Sequence, residues 1–103
     1  MKKYVIKATI RFEKWLLKLK DNVAKVAIAR RINRIKDGNL GDCKAVGIGV
    51  FEARVHVGPG YRVYFAYQGE EVIVLLCAGD KSSQSRDIET AERELEEIKN
   101  EQT

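Results

Sequence analysis

Arg54, His56 and Arg62 lie on either side of Gly58-Pro59-Gly60, flanked by Glu52 and Tyr64, with Lys81 further along. Cationic and imidazole side chains gathered on one rigid face can hold a phosphodiester and move protons around it. Scission of an RNA strand by its own 2′-hydroxyl needs a base for that hydroxyl. It also needs positive charge on the non-bridging oxygens and an acid for the departing 5′-oxygen. Histidine ordinarily titrates near neutrality, which makes His56 the candidate general acid or base. Arg62 and Arg54 are suited to clamp the phosphate, bidentately where geometry allows. Lys81 adds charge at a strand end, and Tyr64 is placed to stack on a base or donate a hydrogen bond. Taken alone, His56 is better explained by solvation, and Lys81 equally well by solvation or chemistry. The grouping of two arginines and a histidine on adjacent strands carries the functional reading.

That grouping depends on a hairpin. Phe51, Ala53, Val55 and Val57 alternate with Glu52, Arg54 and His56. With Gly58-Pro59-Gly60 as the tight turn, Val57 would face Tyr61, His56 would face Arg62, Val55 would face Val63 and Arg54 would face Tyr64. A one-residue slip would mix apolar and charged side chains, which a sheet with one buried face resists. Glu52 is placed as a charge partner that relieves repulsion among the cations.

The remaining elements support that hairpin. Residues 4–9 alternate as a first strand. Phe12, Trp15, Leu16 and Leu19 stand at helical spacing. Asp21 or Asn22 can cap a second helix, whose Ala24, Ile28, Ile32 and Ile35 share one face. Asp37-Gly38-Asn39 stops it, with Gly38 suited to a left-handed position. A short strand is predicted near 44–46, then strands over 51–57, 61–67 and 71–78. The run VIVLLCA is apolar on both faces, as in a central strand covered on both sides. Ser83 or Ser85 can cap a last helix with the stripe Ile88, Ala91, Leu95 and Ile98. The prediction is an α+β fold. Two N-terminal helices pack on a mostly antiparallel sheet of four to five strands, with a C-terminal helix beyond it. A single domain over residues 1–103 is expected from the length.

Composition narrows the function classes. The chain is 45% hydrophobic and 33% charged, a globular balance. Its apolar N-terminal run is broken by Lys7 and Arg11, so neither a signal peptide nor a membrane span is expected, and the cytoplasm is the expected compartment. One histidine, two cysteines and no Cys-x-x-Cys argue against a zinc site or a disulfide framework. No metal or cofactor is expected. The glycines mark turns and do not form a G-x-G-x-x-G element. Residues 1–86 hold 17 Lys and Arg against 8 Asp and Glu, whereas residues 87–103 hold 2 against 7. A basic body with an acidic end favours a polyanionic partner. On the second helix Arg30 and Arg34 form either a solvated face or a docking surface for RNA phosphates.

The block over residues 58–84, GPGYRVYF, then an apolar strand and GDKSSQ, is followed by Asp87-Ile88 and Ala91. Together with the arginine-rich helix ending in DGN, the GDCKAVG loop and FEARVHV, it resembles the RelE/HigB-type toxins of bacterial type II toxin–antitoxin systems. The closest likeness is to the addiction-module killer, phage-derived HigB-like branch. The resemblance implies a RelE-like fold and a toxin that is an endoribonuclease. Its substrate would be mRNA, often on the translating ribosome, with inhibition of translation and growth as the result. It implies a cognate antitoxin partner, frequently a helix-turn-helix protein. The family's arginine after the hairpin turn matches Arg62, and its basic residue near the last strand end matches Lys81. Arg54 and His56 match the polar strand before the turn. Tyr64, Arg30, Arg34 and Gln84 are the residues expected to contact RNA. The chain departs from the best-known RelE pattern in having no tyrosine after Tyr67. The identity of the general base is therefore open, with His56 the candidate. Two other functions remain: a ParE-like toxin that acts on DNA gyrase without cleaving RNA, and an inactive RNA- or antitoxin-binding module.

Overall fold

A computed structural model describes residues 2–101. Met1, Gln102 and Thr103, at the ends of the predicted domain, lie outside the described residues. Strand β1 (Val5–Ala8) leads into α1 (Ile10–Lys18), whose cap is Thr9: its hydroxyl oxygen accepts from the Phe12 N–H. Asp21 caps α2 (Asn22–Lys36), accepting from the Ala24 N–H at 3.0 Å. That bond satisfies an amide that has no partner inside the helix. Gly38, at φ 92°, ends α2 as its sequence implied, with the Asn39 N–H reaching back to the Arg34 carbonyl. Strands β2 (Cys43–Gly47), β3 (Val50–Val55), β4 (Tyr61–Gln68) and β5 (Val72–Asp80) follow. A 3-10 turn over Lys81–Ser83 leads directly into α3 (Gln84–Glu101).

The fold is α+β, with a mixed five-stranded sheet in the order β1-β5-β4-β3-β2. β1 runs parallel to β5, and the other neighbouring pairs are antiparallel. A β1–β5 parallel pair needs a long crossover, and α1, α2 and the β2–β4 meander lie within it. The two early helices cover one face of the sheet, with Phe12, Ala24, Ile28 and Ile35 packed on Ala53, Val63, Phe65, Ile73 and Leu75. The last helix does not lie beyond the sheet. It crosses the second face, where Ala91 and Leu95 pack on Val50, Tyr64, Ala66, Val74 and Leu76. This explains why VIVLLCA is apolar on both sides: β5 is an interior strand, between β1 and β4, and has a helical layer on each face.

The hairpin register differs from the expected one by two residues. Val55 pairs with Tyr61, Arg54 with Arg62, Ala53 with Val63 and Glu52 with Tyr64. A shift of two keeps every side chain on its face, so hydrophobic alternation could not detect it. The connection is therefore a five-residue loop over 56–60, and His56 leaves the strand. Gly58 and Gly60 hold φ of 55° and 84° in that loop, conformations that other residues adopt only with strain.

α3 docks so closely that β5 needs a glycine. A Cβ on Gly79 would lie 1.9 Å from Asp87 Oδ2 and 2.8 Å from Ser83 Oγ. The Asp87 carboxylate accepts from the Ser83 hydroxyl, so it cannot move aside without losing that bond. Gly79→Ala is expected to destabilise by about 1–3 kcal/mol through overpacking. In thermal melting this reads as a loss of about 4–8 °C per kcal/mol for a chain of this size. An unchanged melting temperature would show that Asp87 re-seats without cost.

Candidate active site

Glu52 organises the polar cluster. It is 0% exposed, because α3 closes over the face of β3 and β4 that carries it. Among the described residues it is the charged side chain that is buried. Its Oε1 accepts from Arg54 Nε at 3.1 Å and stands 3.6 Å from Arg62 Nε. Its Oε2 accepts from Gln84 Nε2 at 2.9 Å, at the first residue of α3. Arg54 and Arg62 face each other directly across the hairpin. Two guanidiniums in that position would repel, and the shared carboxylate offsets this.

Four predicted residues meet at one cleft. Arg54, His56, Arg62 and Lys81 line a cavity of about 440 Å³, together with Tyr61 and the backbone around Gly58-Pro59-Gly60. Arg62 is held by Glu52 and by a long bond from its Nη1 to the Lys81 carbonyl, 3.5 Å. The Lys81 N–H donates to the Gly60 carbonyl at 2.8 Å, which pins the end of β5 to the hairpin loop. Asp80 shapes the turn that presents Lys81. Its Oδ1 accepts from both the hydroxyl and the amide of Ser82, and these bonds hold the Asp80 carboxyl below the usual range.

His56 is exposed at the cleft rim, with its Nε2 2.7 Å from Asp42 Oδ2. This hydrogen bond is the main cause holding the Asp42 carboxyl below its ordinary range, and the charge of Arg54 adds to it. Asp42 was not foreseen: it sits 14 residues earlier, on the approach to β2. Its loop is fixed by Arg31, whose Nη2 donates to the Leu40 and Asp42 carbonyls and whose Nη1 donates to the Arg54 carbonyl at 2.7 Å. Within the arginine-rich helix, Arg31 therefore has a structural duty separate from its neighbours'.

The other predicted RNA contacts fall elsewhere. Tyr64 is 0% exposed beneath α3, so it cannot stack on a base. Its hydroxyl lies toward the Glu52 carboxylate but makes no hydrogen bond of good geometry. Burial first, and the Glu52 charge second, push its ionisation far up. The Gln84 amide is committed to Glu52. Arg30 and Arg34 are exposed on α2 and do not line the cleft. A larger groove of about 1100 Å³ runs between α1 and α3. There the cationic wall of Lys7, Arg11 and Lys14 faces an acidic wall, with Arg11 and Glu94 3.8 Å apart. Opposed charges of this kind offer little net field to a polyanion. Among the described residues no group of His, Cys, Asp and Glu is arranged to hold a metal ion, and no helix is long and apolar enough to cross a membrane.

Residues 14–102 match the family of phage derived proteins, Gp49-like (DUF891). The chain belongs to the Gp49-like family. This is a toxin-like family of addiction modules, which points to an antitoxin as partner. The chain is also similar to an uncharacterized protein of Haemophilus influenzae, 47% identical over 93 residues, covering 90% of this chain and 94% of that one. The family match, residues 14–102, contains the second half of α1, all of α2 and α3 and every residue of the cleft.

Proposed function

We propose that this Gp49-like protein is the toxin of a type II toxin–antitoxin pair, of RelE/HigB type, and that it is an endoribonuclease. Its substrate is mRNA, cut on the translating ribosome, and its antitoxin is a helix-turn-helix protein. The supporting observation is the convergence of Arg54, Arg62, Lys81 and the Asp42-oriented His56 on one open cleft.

The chemistry follows from that arrangement. With its Nε2 bonded to Asp42, His56 has Nδ1 left for a substrate proton, and Asp42 fixes the ring's orientation. Nδ1 takes the proton of the 2′-hydroxyl, the O2′–P bond forms, and the P–O5′ bond breaks. The Arg54 and Arg62 guanidiniums stabilise the charge that gathers on the non-bridging oxygens. The Lys81 ammonium gives a proton to the leaving 5′-oxygen. The products are a 2′,3′-cyclic phosphate and a 5′-hydroxyl end. The cleft's own cations supply the positive charge, so the proposed reaction is metal-independent.

The test is induction of the native protein in bacteria, with RNA 5′-ends mapped within minutes. New 5′-hydroxyl ends in reading frame are the expected result. Growth arrest without new ends would replace this reading with a gyrase-directed toxin. No arrest and no new ends would leave an inactive binding module.

A further inference from the structure

A carboxylate that served stability alone would best take one arginine fork-to-fork, with two parallel N–H···O bonds. Glu52 does something else. One oxygen, Oε1, is shared between the Nε atoms of Arg54 and Arg62, and the other is bonded to Gln84. An arginine held through Nε keeps its terminal Nη groups for other partners, although Arg62 spends part of one, Nη1, on the long 3.5 Å bond to the Lys81 carbonyl. Both arginines line the cleft, and they stand at directly paired positions on β3 and β4. Burying a carboxylate under a helix is costly, and here it is fully buried at the centre of the cluster.

From this geometry we infer that Glu52 is a positioning residue: it holds Arg54 and Arg62 by their Nε atoms so that their Nη ends form one fork for a single phosphodiester. The inference rests on the nuclease reading for its substrate class, but the fork itself is a binding device. Without Glu52 the two guanidiniums would repel and splay apart. Gln84 ties the same carboxylate to the start of α3, so the helix that buries the cluster also fixes its orientation.

The probe is a short oligodeoxyribonucleotide, which has phosphodiesters but no 2′-hydroxyl and cannot be cleaved by this route. Nitrogen–proton NMR of the arginine side chains in the native protein reads the two ends of each guanidinium separately. The expected result is that the Arg54 and Arg62 Nε–H signals are protected from exchange and hold their positions when the probe is added, while the Nη signals shift. Glu52→Gln should lose the Nε–H protection. It should also bind the probe about 10–100-fold more weakly, by analogy with the loss when a partner that orients a metal-ligating side chain is removed. Glu52→Asp keeps the charge but is too short to reach both Nε atoms, and should recover only part of the affinity.

A folded Glu52→Gln protein with native affinity would overturn the inference. If that variant does not fold, the native titration still decides. Shifts at Nε with none at Nη, or no binding of the probe at all, would refute the fork. Binding through Nη by a protein that never cleaves RNA would sink the nuclease reading and leave the role of Glu52 standing.

Discussion

Arg62→Ala is expected to lower single-turnover RNA cleavage by about 10²–10³-fold, the usual loss when one donor to a developing oxyanion is removed. Growth inhibition on induction should disappear with it. The variant should still fold, for a reason visible at Glu52. The Arg62 side chain is 13% exposed and Glu52 is 0% exposed, so the substitution takes a cation from a buried carboxylate. Stripping such a charge of its only partner costs roughly 3–5 kcal/mol. Glu52 keeps Arg54 at 3.1 Å and Gln84 at 2.9 Å, so the loss should be nearer the 1–3 kcal/mol of one charged hydrogen-bond partner, to order of magnitude. Thermal melting read beside the cleavage rate separates the two effects. Arg62→Lys sharpens the test. Lysine carries a point charge and no planar fork, so it cannot reach Glu52 and a phosphate together. Partial recovery of stability with little recovery of rate is expected. Full activity in Arg62→Ala at equal protein level would remove Arg62 from the site.

Sequence pattern made much of the scaffold legible because burial has a period. The stripes on α1, α2 and α3, the Asp21 cap and the Gly38 stop all follow from local spacing. So does the doubly covered strand β5, although it lies next to the edge strand and not at the centre. What pattern could not supply was anything that leaves the period unchanged. The hairpin register moved by two residues, which preserves both faces, and that moved His56 off the strand and set Arg54 against Arg62. Tyr64 shares its face with Glu52, Arg54 and Arg62, so it read as part of an open polar surface. α3 reaches across that face and buries Tyr64 while leaving the cleft end open. The same covering turned Glu52 from a charge partner at a surface into a buried anchor. Asp42 and Arg31 had no local signal at all, since their contacts with His56 and the Arg54 carbonyl are made only when α2, β2 and β3 meet.

The second large effect belongs to His56. His56→Gln is expected to lower cleavage by about 10²–10⁴-fold, the range for loss of a general acid or base. Asp42→Asn tests whether the 2.7 Å contact orients the imidazole. Asparagine can accept a hydrogen bond, but it lacks the negative charge that favours the imidazolium formed during proton transfer. Its rate should fall, by less than in His56→Gln. Stability should hardly change, because both partners are exposed and exposed ion pairs contribute little. The sign of the pH effect follows from Asp42, whose carboxyl is held low by His56. Whatever the pair adds to stability is present above the ordinary carboxylate range and is lost only as pH falls through the depressed value. The double variant decides the matter. If Asp42 acts through His56, adding Asp42→Asn to His56→Gln should cost nothing further, because the group it orients is already gone. Additive losses would mean that Asp42 acts on its own account and that the pair is not a catalytic unit.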